Sequence, residues 1–270
     1  MGRARGTAMK VDVLGCHGSD SLVRGPQGPV QCGTCGFLFN GRVLVDAGTI
    51  GARLYLEDQK RIRLVLLTHL HFDHIRALPT LADNLVGEID EPVVVAAIPE
   101  VLKGLATHIF NGDVYPDFFR LPDPARPIFV PHALTPGREE MLCGLGITAV
   151  PVNHLGPAVG FLIRDGETTV LMSGDTYQTD EIWRAAKQAV GLRAAFIESS
   201  FPNELSDLAQ VSRHLTPALL AEEFSKVGRS DLPVFAYHLK PRFRDRIRME
   251  LARTGIPKVT VVEEGQTLQF

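Results

Sequence analysis

The sequence is poor in several features that would point directly to a class of protein. Only four cysteines occur among 270 residues, and the one C-x-x-C pair, Cys32 and Cys35, has no second pair with which to complete a structural zinc site. The longest apolar runs, such as residues 64–67 and 92–98, are too short to span a bilayer. No apolar segment follows the polar, basic start at residues 1–10, so we recognise no secretory signal. We therefore expect a cytoplasmic protein with no membrane partner, in which Cys32 and Cys35 are loop thiols.

Strong charge of either sign is also missing. The formal net charge is −3, and we identify no insertion rich in Lys or Arg. A wide electrostatic surface for an extended nucleic acid is therefore disfavoured. A small, local basic pocket stays compatible with this composition.

What the sequence does contain is a long series of short β-rich runs, with single helical patterns between some of them. These runs include residues 64–68, 147–152, 169–173, 195–198 and 234–237. Each is bounded by Gly, Pro, Asp or Asn, which favour turns. This order predicts sheets packed together with helices on the outside. We expect a single domain over residues 1–270, with an irregular, proline-rich insertion at about 111–136.

The most informative segment is the H-x-H-x-D-H pattern at residues 69–74, which directly follows an apolar strand. In an extended chain His69 and His71 point to the same side, because side chains alternate along a strand. Asp73 and His74 lie where the chain bends into a helix and can face a second ion. Neutral imidazole and carboxylate are ligands that suit Zn²⁺ and similar divalent metals. This segment therefore predicts that one strand end serves two metals.

Three further candidate ligands each follow a predicted strand. His154 comes after residues 147–152, Asp175 after residues 169–173, and His238 after residues 234–237. Single ligands at strand ends are a way for a sheet to hold a rigid site. We therefore add these three side chains to the predicted metal site.

Together these motifs resemble, in order, the characteristic motifs of the metallo-β-lactamase superfamily. They comprise the H-x-H-x-D-H segment, the single His154, the S-G-D-T stretch at residues 173–176 and the late His238. The resemblance implies an α/β (α+β) fold, a four-layer αββα sandwich over nearly the whole chain. It implies that one metal takes His69, His71 and His154, that the other takes Asp73, His74 and His238, and that Asp175 bridges them. It also implies that Asp46 orients a ligand histidine.

Within the superfamily the sequence looks closest to the class II cyclic-nucleotide phosphodiesterases. True β-lactamases of this fold usually carry Cys where Asp175 stands. The closer likeness rests on residues 73–84, 107–118 and 198–241. It implies hydrolysis of a 3′,5′-cyclic nucleotide such as cAMP to the 5′-monophosphate, by a hydroxide shared between the metals. The Gly- and Cys-containing loop within residues 16–37 departs from this pattern and leaves the substrate open.

Several residues are candidates for roles beside the metals. Asp73 is expected to orient the nucleophile, His214 to protonate the leaving group as general acid, and Glu198 to orient His214. Glu198 and His214 resemble a pair in the tRNA 3′-processing ribonucleases, tRNase Z; the alternative is a surface histidine and a strand-end carboxylate. His108, Asn111, Tyr115 and Phe118 are candidates for a wall around the base; the alternative is ordinary packing of a helix and its loop.

Other functions stay open at this point. They are a tRNase Z-like nuclease, a glyoxalase II-type thioesterase and a non-enzymatic metal-binding scaffold. We expect two divalent ions, with Zn²⁺ favoured and Fe or Mn also compatible with the ligands. We expect a small-molecule phosphodiester as substrate and leave a homodimer open.

Overall fold

Strands dominate the part of the chain that the structure, a computed structural model, describes: residues 8–25 and 28–270. Residues 1–7 of the basic start, and Pro26 and Gln27 of the loop within residues 16–37, lie outside the described residues. The strands are, in chain order, β1 (Lys10–Gly15), β2 (Ser21–Gly25), β3 (Gly28–Cys32), β4 (Gly36–Phe39), β5 (Val43–Val45), β6 (Leu64–Leu66), β7 (Val93–Ala97), β8 (Pro122–Asp123), β9 (Arg126–Pro127), β10 (Phe129–Ala133), β11 (Glu139–Leu142), β12 (Leu145–Pro151), β13 (Val159–Asp165), β14 (Thr168–Met172), β15 (Leu192–Glu198), β16 (Val234–Tyr237), β17 (Val259–Val261) and β18 (Thr267–Gln269).

The helices are short and lie between the strands. They are α1 (Leu56–Gln59), α2 (Phe72–Ile75), α3 (Leu78–Leu85), α4 (Pro99–His108), α5 (Glu181–Gln188), α6 (Ser206–Ser212), α7 (Pro217–Ser225) and α8 (Arg244–Leu251). Single 3-10 turns cover Asn203–Leu205 and Pro241–Phe243. Across residues 8–25 and 28–270, none of these helices has the length and apolar character needed to cross a membrane.

Two seven-stranded sheets form the framework. The strand order is β10-β7-β6-β5-β4-β1-β18 in the first sheet and β11-β12-β13-β14-β15-β16-β17 in the second. Strands β5, β6, β7 and β10 run parallel to one another, and so do β14, β15, β16 and β17. Parallel strands are usually covered on both faces, which explains why β6 reads Leu-Val-Leu with every residue buried.

The two sheets face each other across a buried aromatic contact. The Phe37 ring of β4 packs edge-on against Phe196 of β15 at 5.7 Å and against Tyr237 of β16 at 5.3 Å. On the outer face of the second sheet, Trp183 of α5 and Leu220 of α7 are buried with strand residues. Helices α3 and α4 bury their apolar sides on the first sheet. The predicted αββα sandwich is confirmed.

The carboxyl ends of the inner parallel strands meet at one edge of this sandwich. Pairing of Val45 with Leu66 aligns the ends of β5 and β6, and pairing of Glu198 with Tyr237 aligns the ends of β15 and β16. In open α/β sheets, functional side chains gather beyond such strand ends. The segments that leave this edge begin at Asp46, Leu67, Ser173, Ser199 and His238.

The predicted irregular insertion at residues 111–136 is partly wrong. Its residues 129–133 form β10, which pairs in parallel with β7 and forms an edge of the first sheet. Pro131 lies inside this strand, and proline is tolerated there because an edge strand leaves one side of its backbone unpaired. The high proline content suggested irregular structure, but pairing with β7 stabilises a strand here.

We expect Phe37→Ala to lower the free energy of unfolding by about 3–5 kcal/mol, because the change leaves a cavity between the two sheets. Chemical denaturation followed by circular dichroism measures this loss. Tyr55→Ala is the control, since Tyr55 is 84% exposed and its truncation should change stability by no more than about 0.5 kcal/mol. A loss below about 1 kcal/mol for Phe37→Ala would contradict the packing role assigned to the ring.

Candidate metal centre

All seven predicted ligands converge at the strand-end edge. A first group contains His69, His71, His154 and Asp175, whose ligand atoms all lie within 4.8 Å of one another. The His154 Nε2 atom lies 3.0 Å from His71 Nδ1 and 4.0 Å from Asp175 Oδ2, and His69 Nε2 lies 3.8 Å from the same carboxylate oxygen. Three imidazoles thus surround one side of the Asp175 carboxylate.

A second group surrounds the other side of the same carboxylate. His74 Nε2 lies 3.3 Å and His238 Nε2 3.2 Å from Asp175 Oδ2, and the two ring nitrogens are 3.3 Å apart. Asp73 Oδ2 lies 3.3 Å from His238 Nε2 and 3.9 Å from His74 Nε2. The shared position of Asp175 between the two groups is the arrangement expected of a bridging ligand.

Four of the five histidines are fixed through the ring nitrogen that faces away from this centre. His69 Nδ1 donates to Thr68 Oγ1 (2.9 Å), His74 Nδ1 to Asp46 Oδ2 (2.7 Å), His154 Nδ1 to the Arg213 carbonyl (2.9 Å) and His238 Nδ1 to Ser200 Oγ (2.8 Å). Histidines that bind metals usually donate their second N–H in this way, which fixes the tautomer and aims the remaining lone pair.

Asp46 connects the two groups of ligands. Its Oδ1 atom accepts hydrogen bonds from the Thr68 backbone N–H at 2.9 Å and from the Thr68 hydroxyl at 3.0 Å. Its Oδ2 atom accepts the bond from His74. Because the Thr68 hydroxyl also accepts from His69, one carboxylate positions a histidine in each group. The geometry matches the role that the resemblance implied for Asp46.

The backbone around the centre adopts conformations that side chains disfavour. His238, Asp46 and Arg213 have φ values of 64°, 57° and 57°. Non-glycine residues seldom occupy this left-handed region, and such strain concentrates at functional sites. Gly174, directly before Asp175, has φ 63°, and a Cβ there would lie 2.6 Å from the Val159 carbonyl oxygen. Only glycine fits at that turn.

The residues present fit a pair of divalent ions. His69 Nε2 and Asp175 Oδ1 are buried polar atoms with no hydrogen-bond partner among the described residues. A buried polar atom left without a partner costs about 1–3 kcal/mol, and coordination of a cation would offset that cost. Imidazole and carboxylate donors suit Zn²⁺, Fe and Mn alike. The donor set therefore supports a metal role without selecting the metal.

Burial and neighbouring charges together set the protonation of the candidate ligands. Burial lowers the pKa of His69, His154 and His238, which keeps these imidazoles neutral and able to donate a lone pair. For His74, neighbouring carboxylates outweigh burial and raise the pKa. For Asp175, burial alone would raise the pKa, but the neighbouring His238 and His74 hold the pKa well below its usual range. The Asp175 carboxylate is therefore ionised, as a metal ligand must be.

Glu198 and His214 form a hydrogen-bonded pair beside the second group. The His214 Nδ1–H donates to Glu198 Oε1 at 2.7 Å, and the His214 ring stacks on His238 at 5.2 Å. Ser200, which the sequence reasoning did not single out, links this pair to the ligands. Its hydroxyl donates to Glu198 Oε2 at 2.9 Å and accepts from His238. Burial opposes the charged form of His214, but Glu198 outweighs it and raises the pKa of His214.

The four residues predicted to surround the base are not at this centre. They are His108, Asn111, Tyr115 and Phe118. Helix α4 begins at Pro99, just beyond the site end of β7, and runs back towards the other end of the sheet. The Phe118 carbonyl there accepts from the Phe129 N–H, and Phe129 pairs with Val93, the first residue of β7. Phe118 is buried and Asn111 accepts hydrogen bonds from its own loop, as the packing alternative expects, whereas His108 is exposed.

Cys32 and Cys35 are both buried and both free thiols, so the expectation of loop thiols holds only in part. Cys32 ends β3, whereas Cys35 precedes β4 and its sulfur lies within 4.8 Å of ligand atoms of His74 and His238. Cys35 therefore packs against the second group of ligands. Its distance along the chain from both histidines hid this contact from the sequence reasoning.

Comparison with known proteins places these features in a family. The sequence profile described as the beta-lactamase superfamily domain matches residues 41–234, which include His69–His74, His154 and Asp175. His238 lies just beyond the matched segment.

Two curated relatives carry the name ribonuclease Z. The protein from Mycolicibacterium gilvum is 28% identical over 172 residues, which cover 58% of this chain and 57% of that protein. The alignment thus spans little more than half of that relative. The protein from Ignicoccus hospitalis is 24% identical over 274 residues, which cover 82% of this chain and 86% of that protein.

Three solved structures illustrate how widely the fold is shared. Unliganded yeast PDE1 superposes with a TM-score of 0.80 at 19% identity, covering 98% of this chain and 100% of that one. YhfI from Bacillus subtilis gives 0.74 at 18% identity, with coverage of 98% and 100%. The short form of human tRNase Z gives 0.67 at 17% identity, with coverage of 96% and 98%. At these identities the likeness establishes the fold alone.

We expect Asp46→Asn to weaken metal binding about 10- to 100-fold, because the change removes the negative charge that holds His74 and Thr68. Asn tolerates the left-handed backbone at this position, so the turn should persist. Competition with a chromophoric chelator measures the affinity. Asp90→Asn, at an exposed carboxylate, is the matched control and should bind metal like the parent protein. Equal affinities for the two variants would remove Asp46 from the support of the site.

Proposed function

The chain belongs to the β-lactamase superfamily, and from that premise we propose that it is a metal-dependent hydrolase that cleaves phosphodiesters. The observation that carries the proposal is the Glu198–His214 pair, which lies directly against the ligand cluster around Asp175. A metal cluster alone would serve many hydrolytic reactions. A proton donor held beside it suits a reaction whose leaving group is a poorly stabilised alkoxide.

The ligand cluster would hold two divalent ions. When bound, such ions supply an activated water and neutralise negative charge on a phosphate. Asp73 is the ligand that is most open to solvent among the carboxylates, with 25% of its side chain exposed. Its carboxylate can therefore accept a hydrogen bond from the attacking water and orient it towards phosphorus.

His214 is arranged to protonate the leaving oxygen. Its Nδ1–H is bound to Glu198, whereas its Nε2 atom has no hydrogen-bond partner among the described residues. Glu198 is itself fixed by the Thr176 backbone N–H at 3.1 Å and by the Ser200 hydroxyl. The carboxylate thus acts as a positioning residue, and the free Nε2–H of the imidazolium is the proton that the substrate receives.

Two substrate classes follow from this chemistry. One is a 3′,5′-cyclic nucleotide such as cAMP, whose 3′-oxygen leaves to give the 5′-monophosphate; the sequence motifs support it, and yeast PDE1 shares the fold. The other is RNA, which the name of the two curated relatives, ribonuclease Z, supports. Both reactions hydrolyse a phosphodiester and would use the same residues.

A substrate screen tests the proposal. Protein loaded with Zn²⁺, Fe²⁺ or Mn²⁺ is assayed on bis(p-nitrophenyl) phosphate, cAMP, a precursor tRNA and S-lactoylglutathione. We expect turnover of phosphodiesters that a chelator abolishes and added metal restores. Turnover of the thioester alone would contradict the phosphodiesterase proposal and favour a glyoxalase II-type thioesterase.

We expect His214→Ala to leave the metal content intact and to slow hydrolysis of esters with an alkoxide leaving group by about 10²- to 10⁴-fold. The p-nitrophenyl ester should lose much less, because p-nitrophenolate leaves without a proton. Elemental analysis and the ratio of kcat/KM for the two ester types are the measurements. His132→Ala is the control, because this half-exposed histidine pairs with Glu140 on the edge strand. A uniform loss on both ester types would speak against an acid role.

A further inference from the structure

A basic segment begins two residues after the ligand His238. Five of the nine residues from Lys240 to Arg248 are Lys or Arg. The net charge of −3 concealed this segment, because acids elsewhere in the chain balance it. The segment was therefore not expected from the overall composition.

Acidic neighbours neutralise only part of this segment. Arg246 pairs with Glu204 and Glu250, and Arg248 pairs with Glu263. Lys240 donates instead to the Gly18 carbonyl oxygen, at 2.6 Å. Arg244 lies 3.9 Å from Asp245. Lys240 and Arg242, the two cations closest in sequence to His238, are left without an acidic partner among the described residues.

Arg242 is the most accessible of these cations. It is exposed, and it has no acidic partner among the described residues. Its guanidinium carbon lies 5.2 Å above the centre of the Phe243 ring, a cation–π contact that holds the side chain in place. An arginine fixed in this way loses less conformational entropy when it binds a phosphate.

A line of aromatic rings joins Arg242 to the proposed proton donor. The Phe243 ring packs against Phe201 at 6.3 Å, and the Phe201 ring packs edge-on against His214 at 5.9 Å. These three residues, Phe201, Phe243 and Arg242, form a wall on the His214 side of the metal centre. Because His214 protonates the leaving oxygen, the wall adjoins the group that leaves.

We propose that Arg242 binds a phosphate carried by the leaving nucleoside, with Phe201 and Phe243 along that nucleoside. The inference rests on the proposed phosphodiesterase function and narrows its substrate to a linear oligonucleotide. In a cyclic nucleotide the leaving 3′-oxygen belongs to the same nucleoside and brings no second phosphate. In a linear chain the leaving nucleoside carries a 5′-phosphate towards the wall.

The reaction balances without any further reactant. The oxygen of water bonds to phosphorus, the bond between phosphorus and the 3′-oxygen breaks, and that oxygen takes a proton from His214. The water gives up one proton in turn, and a proton from solvent restores His214. The dinucleotide UpU then gives uridine and 5′-UMP. Its 5′-phosphorylated form, pUpU, gives two molecules of 5′-UMP.

The test compares kcat/KM for pUpU and UpU with metal-loaded protein. We expect the parent protein to prefer pUpU by about three- to tenfold, the range of one charged contact at a surface. Arg242→Ala should bring this ratio close to one and reduce the salt dependence of KM for pUpU, and Arg242→Lys should retain part of the preference. Arg253→Ala is the matched control, since Arg253 is exposed and unpaired in the described part of the chain.

The outcomes separate this inference from the function on which it rests. The role of Arg242 would be overturned if the parent protein hydrolysed UpU and pUpU at equal rates, or if Arg242→Ala kept the preference. The proposed phosphodiesterase function would still stand in both cases. If the protein hydrolyses neither dinucleotide nor bis(p-nitrophenyl) phosphate, the proposed function is overturned, and the role of Arg242 with it.

Discussion

The rest of the structure depends on one buried carboxylate. Asp175 is almost fully buried, it is ionised, and one of its oxygens has no partner among the described residues. A buried charge is costly unless opposite charges surround it. The two groups of ligands approach this carboxylate from both sides, and a pair of cations would complete its coordination. The positions of the strand ends serve to bring these groups together.

Around that carboxylate, the sandwich provides rigidity that a loop could not. The ligands follow the ends of strands in both sheets, and the aromatic contact of Phe37 with Phe196 and Tyr237 fixes how the two sheets face each other. Left-handed backbone at Asp46 and His238 turns the chain sharply towards the centre. Such conformations persist only where the surrounding packing determines them, and both residues are buried here.

The centre divides into parts with different chemistry. The ligand groups suit activation of water and stabilisation of charge on phosphorus, whereas Glu198 and His214 suit delivery of a proton. Ser200 bonds to His238 and to Glu198, so the two parts share one hydrogen-bond network. The wall formed by Phe201, Phe243 and Arg242 continues from His214 outward. In the mechanism that we propose, this wall lies on the side from which the leaving group departs and selects the substrate there.

The sequence by itself determined the class of fold and predicted the candidate ligand set, because both depend on local patterns. The spacing within residues 69–74 directs several candidate ligands from one strand end. The other candidates could be found because each is a polar residue that directly follows an apolar, strand-like run. Tertiary structure alone decided the rest. Helix α4 runs back along its sheet, so the loop after it places Phe118 away from the centre. The carbonyl of Arg213 accepts a hydrogen bond from His154 although 59 residues separate them. The position of Arg242 likewise depends on tertiary packing. It could not be predicted, because contacts between distant segments produce no periodic pattern in the sequence.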